Sequence, residues 1–579
     1  MTDFILAKDV PVPMADGTLL ATDVWRPASG DPVPALLVRT PYGKEDMSTY
    51  VNFAPSTFDL IRAGYAVVVQ DVRGVFGSGG VFAPHVHEAE DGAEAVRWLA
   101  AQEWCDGAVG AWGGSYLGMV QWQVAATGMP ELKAIAPSIA SADLYRSPWY
   151  SPGGALSLDI AVRWSTMMAA DQVSRALEKG EGEEADLRVL SEDVADPTVA
   201  VSRTPVIERP VVARYLPGFI DSTIGRPERD DHWAPLAALD KAGAIVAPAL
   251  NIGGWYDLLV GETITAYTTM RKAGGSPEAR DGQRLVIGPW SHRNTTGVFP
   301  DRHFGSIASF ASNEMTAAHI AFYDRWLKGC EDALDGVSPV RIFVMGIDQW
   351  RDEPDWPLPD TRYTSYYLAG DGPANTAAGR GVLSTTPPMT DGSDRYLYDP
   401  VRPVPTLGGT VIEFSGYDGP ADQRPVHDRD DVLCFRSEVL TSPVEVTGPV
   451  TAVFHVSSTA VDTDFTAKLV DVHPDGRAII LCDGILRMRY RSSLEKPEPL
   501  VPGEIYEVTI DLLATSNVFL PGHRILLEVS SSNFPRYDRN SNTGGEISRE
   551  HLADMVPATN TLYRSAKYPS RVILPVISR

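Results

Sequence analysis

Gly107-Ala-Val-Gly-Ala-Trp-Gly-Gly-Ser-Tyr-Leu-Gly118 is the stretch of sequence that decides the fold of this 579-residue chain. Residues 109–112 read as the end of a β-strand and residues 116–126 as the start of a helix, with Ser115 on the turn between them. Small neighbours let such a turn close, which pushes the serine hydroxyl out at the carboxyl edge of a sheet. A Gly-Ser cluster alone is a weak signal, but its place between a strand and a helix favours a nucleophilic serine.

Strands and helices alternate on both sides of this turn. Residues 35–42 and 65–74 are apolar runs of the length and composition of buried parallel strands. Residues 88–102 carry an apolar face and an acidic first turn, which is typical of a helix. The pattern predicts an α/β domain with a parallel sheet, whose first part we place at residues 1–142.

The rest of the chain divides into three further parts. Residues 143–238 lose the strand signal and read as a helical insertion, after which strand-like runs resume over residues 239–353 as the second part of the α/β domain. Beyond a proline-rich stretch, residues 354–579 show repeated short strands with turn signals and little helix. This last region is predicted to be an all-β sandwich or jelly roll.

The composition excludes several classes of protein. Fifty Lys+Arg against 75 Asp+Glu give a net charge of −25, so the basic stripe that nucleic-acid binding needs is absent. No apolar run approaches the length of a membrane span. The four cysteines are far apart, and the first residues do not read as a secretory signal. We therefore expect a cytoplasmic protein with free cysteines that binds neither nucleic acid nor membrane.

A nucleophilic serine needs a base and an acid, and the hydrolase order along the chain is nucleophile, acid, histidine. Eleven histidines compete for the role of base. His292 directly follows the strand-like run of residues 284–290, and Asp257 follows another such run and precedes a helix. Ser115, Asp257 and His292 thus occupy three loops that follow strands, in the right order. We predict that they form a catalytic triad, rather than that Asp257 only caps a helix.

Other residues near these loops carry weaker signals. The loop after residues 35–42 is expected to supply the second oxyanion donor, and Tyr42 offers both a phenolic O–H and a backbone, although a tyrosine at the rim of the site fits equally well. The N–H of Tyr116, at the helix start, is the first donor. His85 and His87 have no further metal-ligand partners nearby, so we predict no metal site there and expect His85 to line a pocket. Trp149 and Trp164 flank the start of the helical insertion, where an acyl group would be gripped.

Longer motifs identify a family. They are Gly113-x-Ser115-Tyr116-x-Gly118, Ser141-Ala-Asp-Leu-Tyr-Arg146, Gly254-Trp-Tyr-Asp257, Gly288-Pro-Trp-Ser-His292, Val344-Met-Gly-Ile-Asp348, His427-Asp-Arg-Asp-Asp431 and Asn533-Phe-Pro-Arg-Tyr-Asp538. Over its whole length the chain resembles the X-Pro dipeptidyl-peptidase and cocaine esterase family of serine hydrolases, which includes α-amino acid ester hydrolases. The resemblance implies an α/β-hydrolase domain with an inserted helical cap and a C-terminal all-β jelly-roll domain.

The resemblance also implies roles for individual residues. Ser115 would be the nucleophile, His292 the base and Asp257 its orienting acid, with Tyr42 O–H and the Tyr116 N–H as the oxyanion hole. In this family the acyl group lies among cap and jelly-roll side chains. Those positions correspond here to a set of substrate-binding candidates, which are Trp149, Trp164, Leu259, Ile412 and Glu413, together with His85 and Phe53. In the esterase of this family the positions matching Leu259 and Glu413 are aromatic and the one matching Phe53 is polar, which makes a flat aromatic acyl group a less certain preference.

The expected activity is hydrolysis of neutral or cationic carboxylic esters through an acyl-enzyme, with aromatic acyl groups left open and no metal or organic cofactor implied. A peptidase or amide hydrolase of the same family is an alternative, for which Glu413 would have to bind the free amine of the substrate. An alternative of another class is a carbohydrate-binding jelly-roll protein with a vestigial serine site. A homodimer through a strand surface of the jelly roll also stays open, and the 533–538 motif is expected to be a structural turn.

Overall fold

The computed structural model of the chain describes residues 3–28, 30–46, 53–412 and 417–579. Within these residues the N-terminal half contains a twisted sheet flanked by helices. Its strands are β1 (Phe4–Pro13), β2 (Leu19–Pro27), β3 (Val33–Thr40), β4 (Ala66–Asp71), β5 (Cys105–Gly114), β6 (Leu132–Ser138), β7 (Leu250–Tyr256), β8 (Arg284–Ser291), β9 (Val340–Val344) and β10 (Gln349–Glu353). They lie in the order β1-β2-β4-β3-β5-β6-β7-β8-β9-β10.

Only the edges of this sheet are antiparallel. In the described chain β1, β2 and β10 run opposite to their neighbours, and β4, β3, β5, β6, β7, β8 and β9 are parallel to one another. The central strands β3, β4 and β7 are almost entirely buried because helices cover both faces. Parallel strands end at the same edge of a sheet, so the loops that follow β5, β7 and β8 meet there.

The helices surround the sheet and form the insertion. They are α1 (Thr57–Arg62), α2 (Glu88–Ala100), α3 (Tyr116–Ala125), α4 (Leu158–Glu178), α5 (Glu184–Ala195), α6 (Pro197–Ser202), α7 (Pro210–Tyr215), α8 (Val260–Ala273), α9 (Pro277–Asp281) and α10 (Met315–Trp326). Helices α4 to α7 lie between β6 and β7 and build the cap. Among the described residues, no helix has the length and apolar character needed to cross a membrane.

The C-terminal half is an all-β domain. Its strands are β11 (Thr361–Ala369), β12 (Gly381–Ser384), β13 (Ser393–Tyr398), β14 (Leu433–Arg436), β15 (Val444–Ser458), β16 (Asp464–Val472), β17 (Ala478–Arg487), β18 (Tyr506–Phe519), β19 (Arg524–Ser530), β20 (Ala558–Tyr563) and β21 (Arg571–Ile577). They follow the order β13-β20-β15-β21-β11-β12-β14-β19-β16-β17, with β18 paired to β15. Apart from β12 and β14, which are parallel, the paired strands in the described part of this domain are antiparallel.

The predicted fold class, an α/β sheet with a helical insertion and an all-β C-terminal domain, is therefore confirmed. The first sheet ends at Glu353 and the second begins at Thr361, so the proposed division at residues 353/354 lies in the connection between them. That division and the ones at 142/143 and 238/239 stay predictions.

The all-β domain is joined to the cap by the 533–538 motif. The Asp538 carboxylate accepts the N–H of Leu156 at 3.1 Å and pairs with the buried Arg487 guanidinium at 2.7 Å. The N–H of Asp159, in the first turn of α4, donates to the Pro535 carbonyl at 3.0 Å. The motif is a turn, as expected, and its polar groups fix where the cap begins.

Candidate active site

Ser115 lies on the turn between β5 and α3 with φ 58° and ψ −126°, a backbone conformation that a residue with a Cβ rarely adopts. Its small neighbours make the turn possible. A Cβ on Gly113 would lie 2.6 Å from the Cβ of Leu117, and one on Gly118 would lie 2.5 Å from the Cβ of Ala140. Both distances are too short for a side chain, so the glycines let the helix start pack directly against the neighbouring strand ends.

His292 and Asp257 lie on the two loops beside this turn. Asp257 is the first residue after β7 and His292 the first after β8. His292 Nε2 is 3.0 Å from the Ser115 Oγ, and His292 Nδ1 is 2.6 Å from the Asp257 Oδ2. The Asp257 side chain is fully buried, and its other oxygen accepts the N–H of Leu259 at 2.6 Å.

This arrangement selects one tautomer of the histidine. Because the Asp257 carboxylate accepts the Nδ1–H of His292, the lone pair of Nε2 points at the Ser115 hydroxyl and accepts its proton. A serine activated by a histidine that a buried carboxylate orients is suited to nucleophilic attack on a carbonyl carbon.

Two groups beside Ser115 can donate to an oxyanion. Tyr116 is the first residue of α3, so its N–H has no acceptor within the helix. The Tyr42 hydroxyl accepts the indole N–H of Trp164 at 3.0 Å, which leaves its own proton for another acceptor. Desolvation of the phenol raises the pKa of Tyr42 to about 12, so it remains an O–H donor at neutral pH.

The Tyr116 side chain fixes the start of α3 through two hydrogen bonds of its hydroxyl. Its hydroxyl donates to the Glu88 Oε1 at 2.8 Å and accepts the N–H of His85 at 3.0 Å. The other Glu88 oxygen pairs with the buried Arg39 guanidinium at 2.6 Å. The His85 ring stacks on the Tyr116 ring with their centroids 4.2 Å apart. Burial lowers the pKa of His85 to about 3, so its imidazole is uncharged at neutral pH.

Two cavities open onto Ser115 and His292. The outer cavity has a volume of about 360 Å³, and the inner cavity holds only about 20 Å³. The described residues lining the outer cavity include Tyr42, Asp46, Ser115, Ile160, Trp164, Asp171, His292, Arg293 and Ile412. Those lining the inner cavity include Tyr42, His85, Ser115, Tyr116, Trp149, Ile160, Trp164, Leu258, Leu259 and His292.

Most of the predicted substrate-binding residues face these cavities. His85, Trp149, Trp164 and Leu259 line the inner cavity, and Ile412 of the all-β domain lines the outer one. Phe53 lies elsewhere: its ring packs against Trp290 and Phe310 with centroids 5.6 Å and 5.5 Å away, and it is not among the described residues that line either cavity. Glu413 lies outside the described residues.

Sequence reasoning missed a contact from the all-β domain behind His292. The Ser291 hydroxyl donates to the buried Asp418 carboxylate and accepts the N–H of Asn294 at 3.0 Å. Asp418 lies 126 residues beyond His292 along the chain, and only the packing of the two domains brings it here. Sequence reasoning also did not identify Arg39 and Glu88, the buried ion pair that holds the Tyr116 hydroxyl. Two features could have pointed to them: a charged residue near the end of a buried strand and a buried carboxylate at a helix start.

Two family models match this chain. Residues 16–294, which contain Tyr42, Ser115, Asp257 and His292, match the family model of X-Pro dipeptidyl-peptidase (S15 family). Residues 333–573 match that of the X-Pro dipeptidyl-peptidase C-terminal non-catalytic domain.

Relatives and solved structures cover the whole chain. The cocaine esterase of Rhodococcus sp. (strain MB1 Bresler) is 52% identical over 577 residues, which are 100% of this chain and 99% of the relative. The crystal structure of an aminopeptidase from a marine sediment archaeon of the Thaumarchaeota has a TM-score of 0.79 and 27% identity, covering 100% of this chain and 97% of that one. An α-amino acid ester hydrolase shares the fold with a TM-score of 0.80 and 24% identity, covering 99% of this chain and 97% of that one.

Three findings lead to the same conclusion. Two family models match consecutive parts of the chain, a full-length relative is 52% identical, and a serine, a histidine and an aspartate meet on three loops that follow strands. The chain belongs to the X-Pro dipeptidyl-peptidase (S15) family and is a serine carboxylic-ester hydrolase.

Proposed function

We propose that Ser115, His292 and Asp257 hydrolyse the ester through a covalent acyl-enzyme. The Ser115 Oγ forms a bond to the carbonyl carbon while its proton passes to His292 Nε2. The carbonyl electron pair moves to the oxygen, which then carries the negative charge. When the tetrahedral intermediate collapses, the bond to the alcohol oxygen breaks and His292 gives the proton to that oxygen. A water molecule repeats the cycle on the acyl-enzyme and releases the acid.

The observation that carries this proposal is the unbroken contact from Asp257 through His292 to Ser115, with both contacts at hydrogen-bond distance. The Asp257 carboxylate stabilises the imidazolium that forms on His292. We assign the oxyanion hole to the Tyr42 O–H and the Tyr116 N–H, since both belong to residues that line the inner cavity together with Ser115.

The two cavities suggest how a substrate lies. We assign the acyl group to the inner cavity, whose walls are the rings of His85, Trp149 and Trp164 and the side chain of Leu259. At about 20 Å³ this cavity has room for about one water molecule, so these side chains must move apart when the acyl group enters. The alcohol group then lies in the outer cavity, where Asp46 and Asp171 carboxylates and the Arg293 guanidinium are found. These carboxylates offer partners to a cationic group, so we expect neutral and cationic alcohols to be accepted.

Because an esterase and a peptidase of this family would use the same three residues, the two activities are distinguished by which substrates the enzyme cleaves. Purified enzyme is expected to hydrolyse p-nitrophenyl acetate and p-nitrophenyl benzoate and to show no measurable cleavage of an Ala-Pro p-nitroanilide. A free substrate amine needs a carboxylate beside the acyl group, and the described inner wall is aromatic, imidazole and aliphatic. The measurement is kcat/KM for each substrate against a Ser115→Ala blank. Cleavage of the anilide at an efficiency comparable to that of the esters would make the chain a peptidase.

The oxyanion role of Tyr42 is tested by removing one oxygen. Tyr42→Phe keeps the ring and removes the proposed donor, so kcat is expected to fall about 100-fold or more while KM changes little. The Tyr363→Phe variant, at an exposed position of β11, is the matched control and retains wild-type kcat. A Tyr42→Phe enzyme with wild-type kcat would assign Tyr42 to the rim of the site, the alternative that its sequence position left open.

The state of the cysteines supports a reducing compartment. Cys105, Cys330, Cys434 and Cys482 are all free, and three of the four are buried. Disulfides form and persist in secreted proteins, and unpaired thiols are the usual state in the cytosol. We infer from this that the enzyme works in the cytoplasm.

A further inference from the structure

A third cavity, of about 280 Å³, lies where the first sheet meets the all-β domain. Its walls include Tyr256 at the end of β7, Met345 after β9, and Asn517 of β18. Among the described residues, none that lines this cavity also lines the inner or the outer one. We call it the interdomain cavity.

Two histidines and an aspartate meet in the interdomain cavity. Asp471, His473 and His523 each offer one metal-ligating atom, and these atoms lie within 4.8 Å of one another. The His523 Nδ1 is 2.8 Å from the Asp471 Oδ1, and the two imidazole rings are 4.5 Å apart between centroids.

The register of two strands creates this cluster. β16 and β19 are antiparallel neighbours, and Val472 is paired with Arg524. The next residue outward on each strand is a histidine, His473 on one and His523 on the other, so the two rings face each other across the ends of the strands. Residues 50 apart in sequence are thereby held side by side, each directly next to the end of a paired strand.

The surroundings of the cluster fit a cation. The Asp471 and His523 side chains are 5% and 9% exposed, and Asn517 Nδ2 donates to the second Asp471 oxygen at 3.4 Å. The cation in the same cavity, Arg302, is paired with Asp348 at 2.6 Å, so a carboxylate already balances its charge. The Asp471 carboxylate and the half-buried His473 line the same cavity, in which Arg302 is the arginine among the described lining residues.

We propose that Asp471, His473 and His523 bind one divalent transition-metal ion of the zinc type. Two imidazole nitrogens and one carboxylate oxygen are the donor set that zinc accepts, with water in the fourth position. Two atoms bound to one ion at about 2.1 Å lie at most about 4.2 Å apart, so binding needs only a small inward rotation of the side chains. Each imidazole binds the ion through one ring nitrogen and keeps its single proton on the other nitrogen.

The site is structural. Its three ligands come from the adjacent ends of β16 and β19, so a bound ion ties these two strand ends together within the all-β domain. Tyr256 of the first sheet lines the same cavity. An ion that binds the folded state and not the unfolded chain raises the free energy of unfolding in proportion to the logarithm of its concentration over its Kd. The proposed ester hydrolysis uses none of these three side chains. The zinc site and the catalytic assignment can therefore be tested independently of each other.

The experiment measures zinc binding and thermal unfolding of the full chain. Enzyme is treated with a chelator, dialysed, and titrated with Zn²⁺; bound metal is quantified by mass spectrometry of the elements and unfolding by calorimetry. We expect one zinc per chain and a Tm that rises with zinc concentration. His473→Ala and His523→Ala are each expected to lower the affinity at least about 10-fold and to abolish the Tm shift.

A matched control is His551→Gln, which changes an exposed histidine that is not among the described residues lining the interdomain cavity and is expected to bind zinc as the wild type does. Because His523→Ala removes a buried partner of Asp471, circular dichroism and the turnover of p-nitrophenyl acetate check that each variant is folded. Folded wild-type enzyme that binds no zinc beyond the amount bound by His473→Ala would overturn the proposal, and Asp471 and the two histidines would then form only a hydrogen-bonded cluster.

Discussion

Replacement of Ser115 by alanine is expected to lower kcat for ester hydrolysis about a million-fold, leaving only the rate that binding and the oxyanion donors sustain. The Ser115 hydroxyl forms the covalent bond to the acyl carbon. Among the described contacts, no other hydroxyl lies at hydrogen-bond distance from His292 Nε2 that could replace it as the nucleophile. The measurement is single-turnover and steady-state kinetics with p-nitrophenyl acetate. Because activity this low is sensitive to contamination, the variant is produced in parallel with a mock purification.

Two further results make the Ser115 prediction specific. A fluorophosphonate probe should label the wild type at one site and leave Ser115→Ala unlabelled, because the probe reacts with an activated serine. Ser191→Ala, at an exposed serine on α5 whose hydroxyl donates to the Leu187 carbonyl of the same helix, should match the wild type in kcat and labelling. Wild-type hydrolysis by Ser115→Ala would refute the triad. A wild-type enzyme that the probe does not label would instead favour the carbohydrate-binding alternative.

Replacement of Asp257 by asparagine is expected to lower kcat about 10,000-fold with little change in KM. The asparagine amide can donate to Nδ1 of His292 where the carboxylate accepts from it, so the ring takes the other tautomer and presents an N–H to Ser115. A histidine in that tautomer has no lone pair for the serine proton. Asp257 lines neither the inner nor the outer cavity among the described residues, so binding of the ester is preserved.

The fluorophosphonate probe measures this effect separately from deacylation. Labelling of Asp257→Asn should slow by a factor similar to that of kcat, because both depend on the activated hydroxyl. Asp281→Asn, whose carboxylate is largely exposed on α9, is the matched control and should label at the wild-type rate. A normal labelling rate in Asp257→Asn would mean that Asp257 only caps the following helix, the simpler role considered from its sequence.

The positions of Ser115, Asp257 and His292 could be predicted from sequence because the residues next to each of them show a local strand-to-loop pattern. Ser115 follows a strand and precedes a helix, and Asp257 and His292 each follow an apolar run of strand length. Parallel strands bring their carboxyl ends to one edge, so three post-strand residues converge without any long-range information. The division into an α/β part, a helical insertion and an all-β part was visible for the same reason, since each has its own hydrophobic period.

The substrate pocket was harder to predict, because its walls come from three separate parts of the chain. Trp164 of the cap reaches back to Tyr42, and Ile412 of the all-β domain closes the outer cavity. Phe53 was expected in the pocket by resemblance, but its ring packs between Trp290 and Phe310. Which way a side chain turns on a loop depends on packing partners that are remote in sequence.

Sequence by itself determined the class of this enzyme: an ordered serine, aspartate and histidine, each placed by a local strand-to-loop pattern, in an acidic chain with no nucleic-acid-binding stripe. Only the tertiary structure decided what surrounds these three residues. The Asp418 carboxylate on Ser291, the volume of the inner cavity and the meeting of Asp471, His473 and His523 all depend on contacts between segments 50 or more residues apart. Local periodicity specifies where a strand ends; the packing of one domain against another specifies which side chains meet beyond that end.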